Sequence, residues 1–231
     1  MESIVLICDG CQELWDADGE IDSMERVIFL DRDGTLNEEV NYLHRREDLR
    51  ILEGVPEAIR RFREAGYRIV VVTNQAGVAR GYYSEEDVHV LHQYMNELLR
   101  AEGAAVDHFF YCPHHPEHGI GEYKKACHCR KPETGMFEMA EQYYTVDKKH
   151  SWMIGDKLID VQAGRNYGVR TALVGTGYGA KEHEAVQAGQ EHTAFPVEMG
   201  HADMQAQMTG GQPYDIYAET LLDAAKEILK G

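Results

Sequence analysis

A chain of 231 residues is long enough to bury the core of one sizeable α/β domain, with or without appendages. Its 40 acidic and 23 basic side chains leave a formal charge of −17, which argues against nucleic acid or an anionic membrane as partner, since either needs a basic footprint. No apolar run approaches the roughly 20 residues of a membrane span, the start "MESIVLICDGCQELWDADGE" lacks the basic region of a secretory signal, and an odd five cysteines do not make a disulfide framework, so a reducing cytoplasm is expected.

Residues 1–23 read as an acidic, irregular extension, with the domain proper running from Met24 to residue 231. The "CDGC" at Cys8–Cys11 has zinc-knuckle or thioredoxin-like spacing. It is either a stray pair in the extension or a half-site for a second metal or an intermolecular contact. From Val27 onward, short apolar β-rich runs alternate with helical patterns. "VIFL" reads as a buried strand, "VPEAIRRFREAG" as an amphipathic helix and "RIVVVT" as a second strand. Ser84, with Asp87 three residues on, caps the helix of "EEDVHVLHQYMNELLRAEG". "VDHFFYC" is strand-like, and Pro132 suits the first turn of a helix through "GMFEMAEQYY". "SWMIGD" and "RTALVGTG" are further strands with a helix around "DVQAGRNYG" between them. Residues 181–212 read as a polar excursion before a last helix in "YDIYAETLLDAAKEILKG". This alternation implies an α/β fold with a doubly wound parallel sheet, whose ligands bind outside the carboxyl ends of the strands.

The residues at those ends carry the chemistry. Asp31 and Asp33 follow the first strand two positions apart. In an extended backbone their carboxylates share one side while Arg32 points away. Such a pair favours a hard cation such as Mg²⁺, and a carboxylate can also act as a nucleophile. On "DRD" alone, a solvated acidic turn is the blander alternative. The second strand ends in Thr73, Asn74 and Gln75, a hydroxyl and two amides suited to phosphate oxygens. Arg130 and Lys131 precede a helix start, where anions are favoured. The "MIG" strand ends in Asp156, with Lys157 next and Asp160 four residues on. Acid pair, hydroxyl, lysine and acid, each at a strand end, make the bland reading of the whole set untenable.

Cys112-x-His114 followed by Cys127-x-Cys129 supplies four zinc-capable ligands in two tight pairs. The one-residue spacing is shorter than usual, so spacing alone leaves zinc and a polar loop both open. A redox role for Cys127 and Cys129 is weaker, because the histidine and third cysteine favour a metal.

"FLDRDGTLN", "VVVTNQAG", "CRKP" and "MIGDKLIDVQAG" resemble the four motifs of the haloacid dehalogenase (HAD) superfamily of phosphatases. Together with "TNQAGVARG" and "CPHH…CHCRKP", they resemble most closely the D-glycero-D-manno-heptose 1,7-bisphosphate phosphatases, which are grouped with histidinol-phosphate phosphatases. The resemblance implies a HAD-like Rossmannoid fold in which Asp31 attacks phosphorus and Asp33 protonates the leaving oxygen, then takes a proton from water. It implies Mg²⁺ held by Asp31, the Asp33 main-chain carbonyl and Asp156, with Thr73 and Lys131 on the phosphoryl group. Asp160 then orients Lys157 or a metal-bound water, direct ligation being the alternative. Glu39, Asn41 and Tyr42 fall in the substrate loop, and Asn74, Gln75, Arg130 and Lys157 at other recognition positions. Arg130 suits the second phosphate of a bisphosphate, with Arg80 assisting or merely on the surface.

The family's zinc pattern lands on Cys112, His114, Cys127 and Cys129, with His115 the substitute for His114. On this reading a structural Zn²⁺ pins the loop and sets both Arg130 and Lys131. Between the first acid pair and the second strand there is no room for a large cap domain. The implied partner is a small sugar (bis)phosphate met by a monomer. Histidinol phosphate is the nearest rival substrate, and a non-catalytic sugar-phosphate-binding or zinc interaction module is the rival of another class. Retention of both Asp31 and Asp33 speaks against the latter.

Overall fold

A computed structural model of the chain describes residues 24–189 and 212–230. The 1–23 segment with its Cys8–Cys11 pair lies outside the described residues, as do residues 190–211. Six parallel strands form one sheet: β1 (Val27–Leu30), β2 (Arg68–Asn74), β3 (His108–Cys112), β4 (Trp152–Gly155), β5 (Arg170–Val174) and β6 (Ile216–Ala218). Their order is β3-β2-β1-β4-β5-β6, so β1 is central and the chain winds outward in both directions. β1 and β4 are buried along their whole length, as apolar central strands of a parallel sheet must be.

Successive residues of β1 serve opposite layers. Ile28 and Leu30 face α1 (Val55–Glu64), α3 (Glu85–Ala101) and α7 (Leu221–Ile228). Val27 and Phe29 face α4 (Gly135–Ala140) and α5 (Leu158–Tyr167). The doubly wound fold is therefore as expected. In α1, Val55, Ala58, Ile59 and Phe62 fall at helical spacing on the buried side. Ser84 caps α3 as expected: its hydroxyl accepts from the Asp87 N–H at 3.2 Å and its own N–H donates to Asp87 at 2.8 Å.

Three expectations shift. Pro132 is not in the first turn of a helix, because α4 starts at Gly135 with Thr134 as its cap. The stretch from residue 181 is not simply an excursion: α6 (Gly179–Gln187) occupies its start, packing Val186 against Leu158, Val161 and Leu173. A sixth strand precedes the last helix. Between β1 and β2 lie a loop with one 3-10 turn (Arg46–Asp48) and α1, with a short α2 (Ala76–Ala79) after β2, so among the described residues no large cap is inserted there. Among the described residues, no helix is long and apolar enough to cross a membrane.

Candidate active site and cysteine–histidine loop

The carboxyl ends of β1 and β4 and the first turn of α5 bring Asp31, Asp156 and Asp160 together, with one carboxylate oxygen of each within 4.8 Å of the others. All three are buried. Lys131 offsets their repulsion. Its Nζ lies 2.8 Å from Asp31 Oδ1 and 2.6 Å from Asp160 Oδ1, and it also donates to the Val72 carbonyl at 2.8 Å. Burial works against the ammonium, but the two carboxylates overcome it and raise the lysine pKa. Burial likewise works to raise Asp31, and Lys131 and then Lys157 outweigh it, so Asp31 is held below the usual carboxylate range. Asp160 pairs with Lys131 rather than orienting the Lys157 side chain; its other oxygen accepts the Lys157 N–H at 3.1 Å, capping α5.

Asp156 is held differently. Its Oδ2 accepts the Tyr178 N–H at 2.9 Å, and the glycines at 34 and 177 press against the same carboxylate, where a Cβ on either would collide with it. Both adopt positive φ, 83° and 56°, which suits residues without a Cβ. Oδ1 of Asp156 is buried without a hydrogen-bond partner, and burial pushes the acid up to about 8. A carboxylate oxygen beside Asp31 with no hydrogen-bond donor, and only the Lys157 ammonium at 3.9 Å, suits a hard, oxygen-seeking cation, so these residues fit Mg²⁺.

Asp33 stands apart from that cluster, and Arg32 does not point away. The strand alternation ends at Asp31, because the chain turns at once: the Leu36 N–H returns to Arg32 O at 2.8 Å and the Gly34 N–H to Asn37 O at 2.8 Å. The turn folds Arg32 back onto its neighbour, with Nη2 at 2.8 Å from Asp33 Oδ2 and Nε at 3.1 Å from Oδ1. Asn37 Nδ2 donates to Oδ1 at 3.0 Å and Gln75 Nε2 to Oδ2 at 3.1 Å. Gln75 also donates to Thr73 Oγ1 at 3.0 Å and accepts from the Tyr83 hydroxyl at 2.8 Å. It is thus placed to brace Asp33 and Thr73.

Asn74 is spent on Lys131, accepting from its N–H at 3.0 Å and donating to its carbonyl at 3.1 Å. Glu39 meets Lys157 at 2.8 Å, and the ammonium sits over the Tyr178 ring. Asn41 and Tyr42 are exposed at the rim, Tyr42 edge-on to Tyr82 and beneath the Arg80 guanidinium. Arg130 donates to the His114 carbonyl at 3.1 Å, and burial together with the like charge of Arg80 lowers its pKa.

Cys112 ends β3, and its sulfur, His114 and the sulfurs of Cys127 and Cys129 all lie within 4.8 Å of one another. The two sulfurs of Cys127 and Cys129 are 2.8 Å apart, and His114 Nδ1 is 3.7 Å from Cys112 and 3.8 Å from Cys129. Three sulfurs and an imidazole form a donor set that fits zinc. His115 is occupied by the N–H groups of Glu117 and His118, and His128 by Glu138, so both are bystanders. The loop is tied down a second time at Glu85, which accepts from the hydroxyls of Tyr111 at 2.7 Å and Tyr123 at 2.8 Å.

The chain is similar to known proteins. Residues 128–197 match a family model described as "HAD-hyrolase-like". Over 155 residues the chain is 45% identical to a D-glycero-beta-D-manno-heptose-1,7-bisphosphate 7-phosphatase of Haemophilus ducreyi, covering 66% of this chain and 85% of that one. The chain belongs to the D-glycero-D-manno-heptose-1,7-bisphosphate 7-phosphatase family. A family member named for the alpha anomer, from Photorhabdus laumondii, is 43% identical over 158 residues, 68% of this chain and 86% of that one. The crystal structure of a D,D-heptose 1,7-bisphosphate phosphatase from B. bronchiseptica, complexed with magnesium and phosphate, superposes with a TM-score of 0.69 at 30% identity, covering 89% of this chain and 98% of that chain.

Within this family framework, some contributors were not visible as side-chain patterns. The Tyr178 N–H and the glycine at 177 hold Asp156 through backbone alone, although "GTG" directly after a strand is a cue for close approach. Asn37 and Tyr83 act on Asp33 directly or through Gln75, and neither lies at a strand end.

Proposed function

We propose that the chain is a Mg²⁺-dependent phosphatase that removes the C7 phosphate of D-glycero-D-manno-heptose 1,7-bisphosphate through an aspartyl-phosphate on Asp31. The observation that carries this is Lys131, buried between Asp31 and Asp160, which gives a strongly acidic chain a local cation at the phosphoryl position. Asp31 attacks phosphorus in line while Asp33 delivers a proton to the departing C7 oxygen. Asp33 then takes a proton from the water that hydrolyses the phospho-aspartate. Lys131 and Thr73 steady the equatorial oxygens of the transferring group. Asp31, Asp156 and the Asp33 main-chain carbonyl would hold Mg²⁺, which would supply positive charge to offset the repulsion between carboxylate and phosphate.

Arg130, with Arg80 beside it, favours a substrate carrying a second phosphate over histidinol phosphate. The test is kcat/KM for phosphate release from both heptose bisphosphate anomers, histidinol phosphate and heptose 7-phosphate. A bisphosphate is expected to lead by about 100-fold or more, since substrates without a second phosphate leave the half-buried Arg130 guanidinium without its anionic partner. Histidinol phosphate in first place would overturn the assignment.

The Cys112–His114–Cys127–Cys129 set holds one zinc, and four protein ligands leave no open position for chemistry. Its task is to fix His114, whose carbonyl holds Arg130. Elemental analysis is expected to find one zinc per chain that survives removal of Mg²⁺. Freshly purified protein without zinc would sink the closed-site assignment.

A further inference from the structure

Asp33 leans on a chain of buried groups that the reaction described above does not use. Arg32 is fully buried, at 0% exposure. Besides forking Asp33, its Nη2 donates to the Leu43 carbonyl at 3.2 Å. Its remaining terminal nitrogen, Nη1, lies 3.2 Å from Nε2 of His92, a residue of α3 that is itself only 4% exposed. A guanidinium nitrogen can only donate, so Nε2 of His92 presents its lone pair and the ring proton sits on Nδ1. The ring is stacked on Phe109, with centroids 4.7 Å apart and planes at 23°, and its edge meets Tyr111. Burial, then the charge of Arg32 and the neighbouring His89, holds the histidine well below its ordinary pKa and therefore neutral.

A histidine kept neutral in a stacked slot, with its one acceptor aimed at an arginine, does more than fill space. An apolar ring would fill that slot without the cost of burying a polar nitrogen. The acceptor instead fixes the plane of the guanidinium. That plane decides where the two-pronged contact holds the Asp33 carboxylate, because a forked pair transmits orientation as well as charge. Gln75, oriented by Tyr83, supplies the opposing brace.

We propose that His92 is a positioning residue for the proton transfer: by accepting from Arg32 Nη1 it fixes the guanidinium that aims Asp33 at the leaving oxygen. The proposal rests on Asp33 being the proton carrier of the proposed function. In the first step a P–O bond breaks, a bond from Asp31 to phosphorus forms, and the Asp33 proton ends on the departing sugar oxygen. A p-nitrophenolate leaving group needs no such proton.

The experiment is single-turnover release of the leaving group, enzyme in excess, from the heptose bisphosphate and from p-nitrophenyl phosphate. His92→Phe keeps the stack on Phe109 and removes the acceptor; His92→Gln restores an acceptor oxygen. The phenylalanine variant is expected to slow the sugar reaction by about 10- to 100-fold, as misplaced acid catalysis does. The aryl reaction should stay within about twofold, zinc content should not change, and His92→Gln should recover most of the loss. Asp33→Asn should show the same selectivity, more strongly. Equal loss on both substrates, or no loss on the sugar, overturns the role of His92 while leaving that of Asp33 standing. If Asp33→Asn is itself unselective, the reading of Asp33 falls, and the proposal with it. Should His92→Phe not fold, His92→Leu is judged by the same ratio.

Discussion

Asp31→Asn is expected to lower phosphate release by about 10⁴-fold or more while leaving a folded, zinc-loaded protein, because a neutral amide neither attacks phosphorus nor carries the intermediate. The stability side of this expectation follows from the ion pairs. Lys131 loses one of two carboxylates but keeps Asp160 at 2.6 Å, so no buried charge is left unpaired. The substitution also removes one of three crowded acids. Steady-state assay, circular dichroism and zinc content on one preparation check it. Release at the wild-type rate would exclude Asp31 as nucleophile.

Lys131→Met should behave in the opposite way, injuring fold and chemistry together. The methionine fills the space of the buried lysine stem but leaves Asp31 and Asp160, both buried, without their shared cation. Breaking a buried ion pair from one side costs about 3–5 kcal/mol. Loss of a fixed charge at the phosphoryl oxygens costs about 10²- to 10³-fold in kcat. Mg²⁺ should recover part of the stability and little of the rate, since a divalent cation would replace charge among the acids but not the hydrogen-bond donor that Lys131 supplies. Urea unfolding with and without Mg²⁺, alongside kcat, tests both halves. A variant as stable and as fast as the parent would exclude Lys131 as the cation that balances Asp31 and Asp160 and steadies the phosphoryl group.

The strands and their terminal acids were legible because each strand is a short, apolar run broken by a polar residue that cannot continue it, as "VIFL" is by Asp31 and "WMIG" by Asp156. Gathering Asp31, Asp156 and Lys131 then followed from a parallel sheet's single functional edge. The failures came where a side chain's direction depends on a turn. Strand alternation sent Arg32 away from Asp33, but the turn beginning there reversed it. Asn74 and Gln75 have the right chemistry for phosphate, and only coordinates show their amides directed to Lys131 and Asp33. β6 is three residues long and α6 is largely polar, so neither announces itself by periodicity.

The Asn74 contact has a consequence for how this loop can change over time. Its carboxamide meets both the N–H and the C=O of Lys131, imitating a peptide group and adding one false rung to the sheet beyond β2. Lys131 therefore takes its register from the sheet, whereas Arg130 takes its place from His114 within the cysteine–histidine loop. The zinc was expected to set both cations; Asn74 gives Lys131 a further tether, from the end of β2. Insertions or deletions between Cys112 and Cys129 would thus re-aim the arginine, and on the proposed function the choice of substrate, while Asn74 keeps hold of the lysine. The loop is free to drift in specificity while the hydrolytic centre stays where it is.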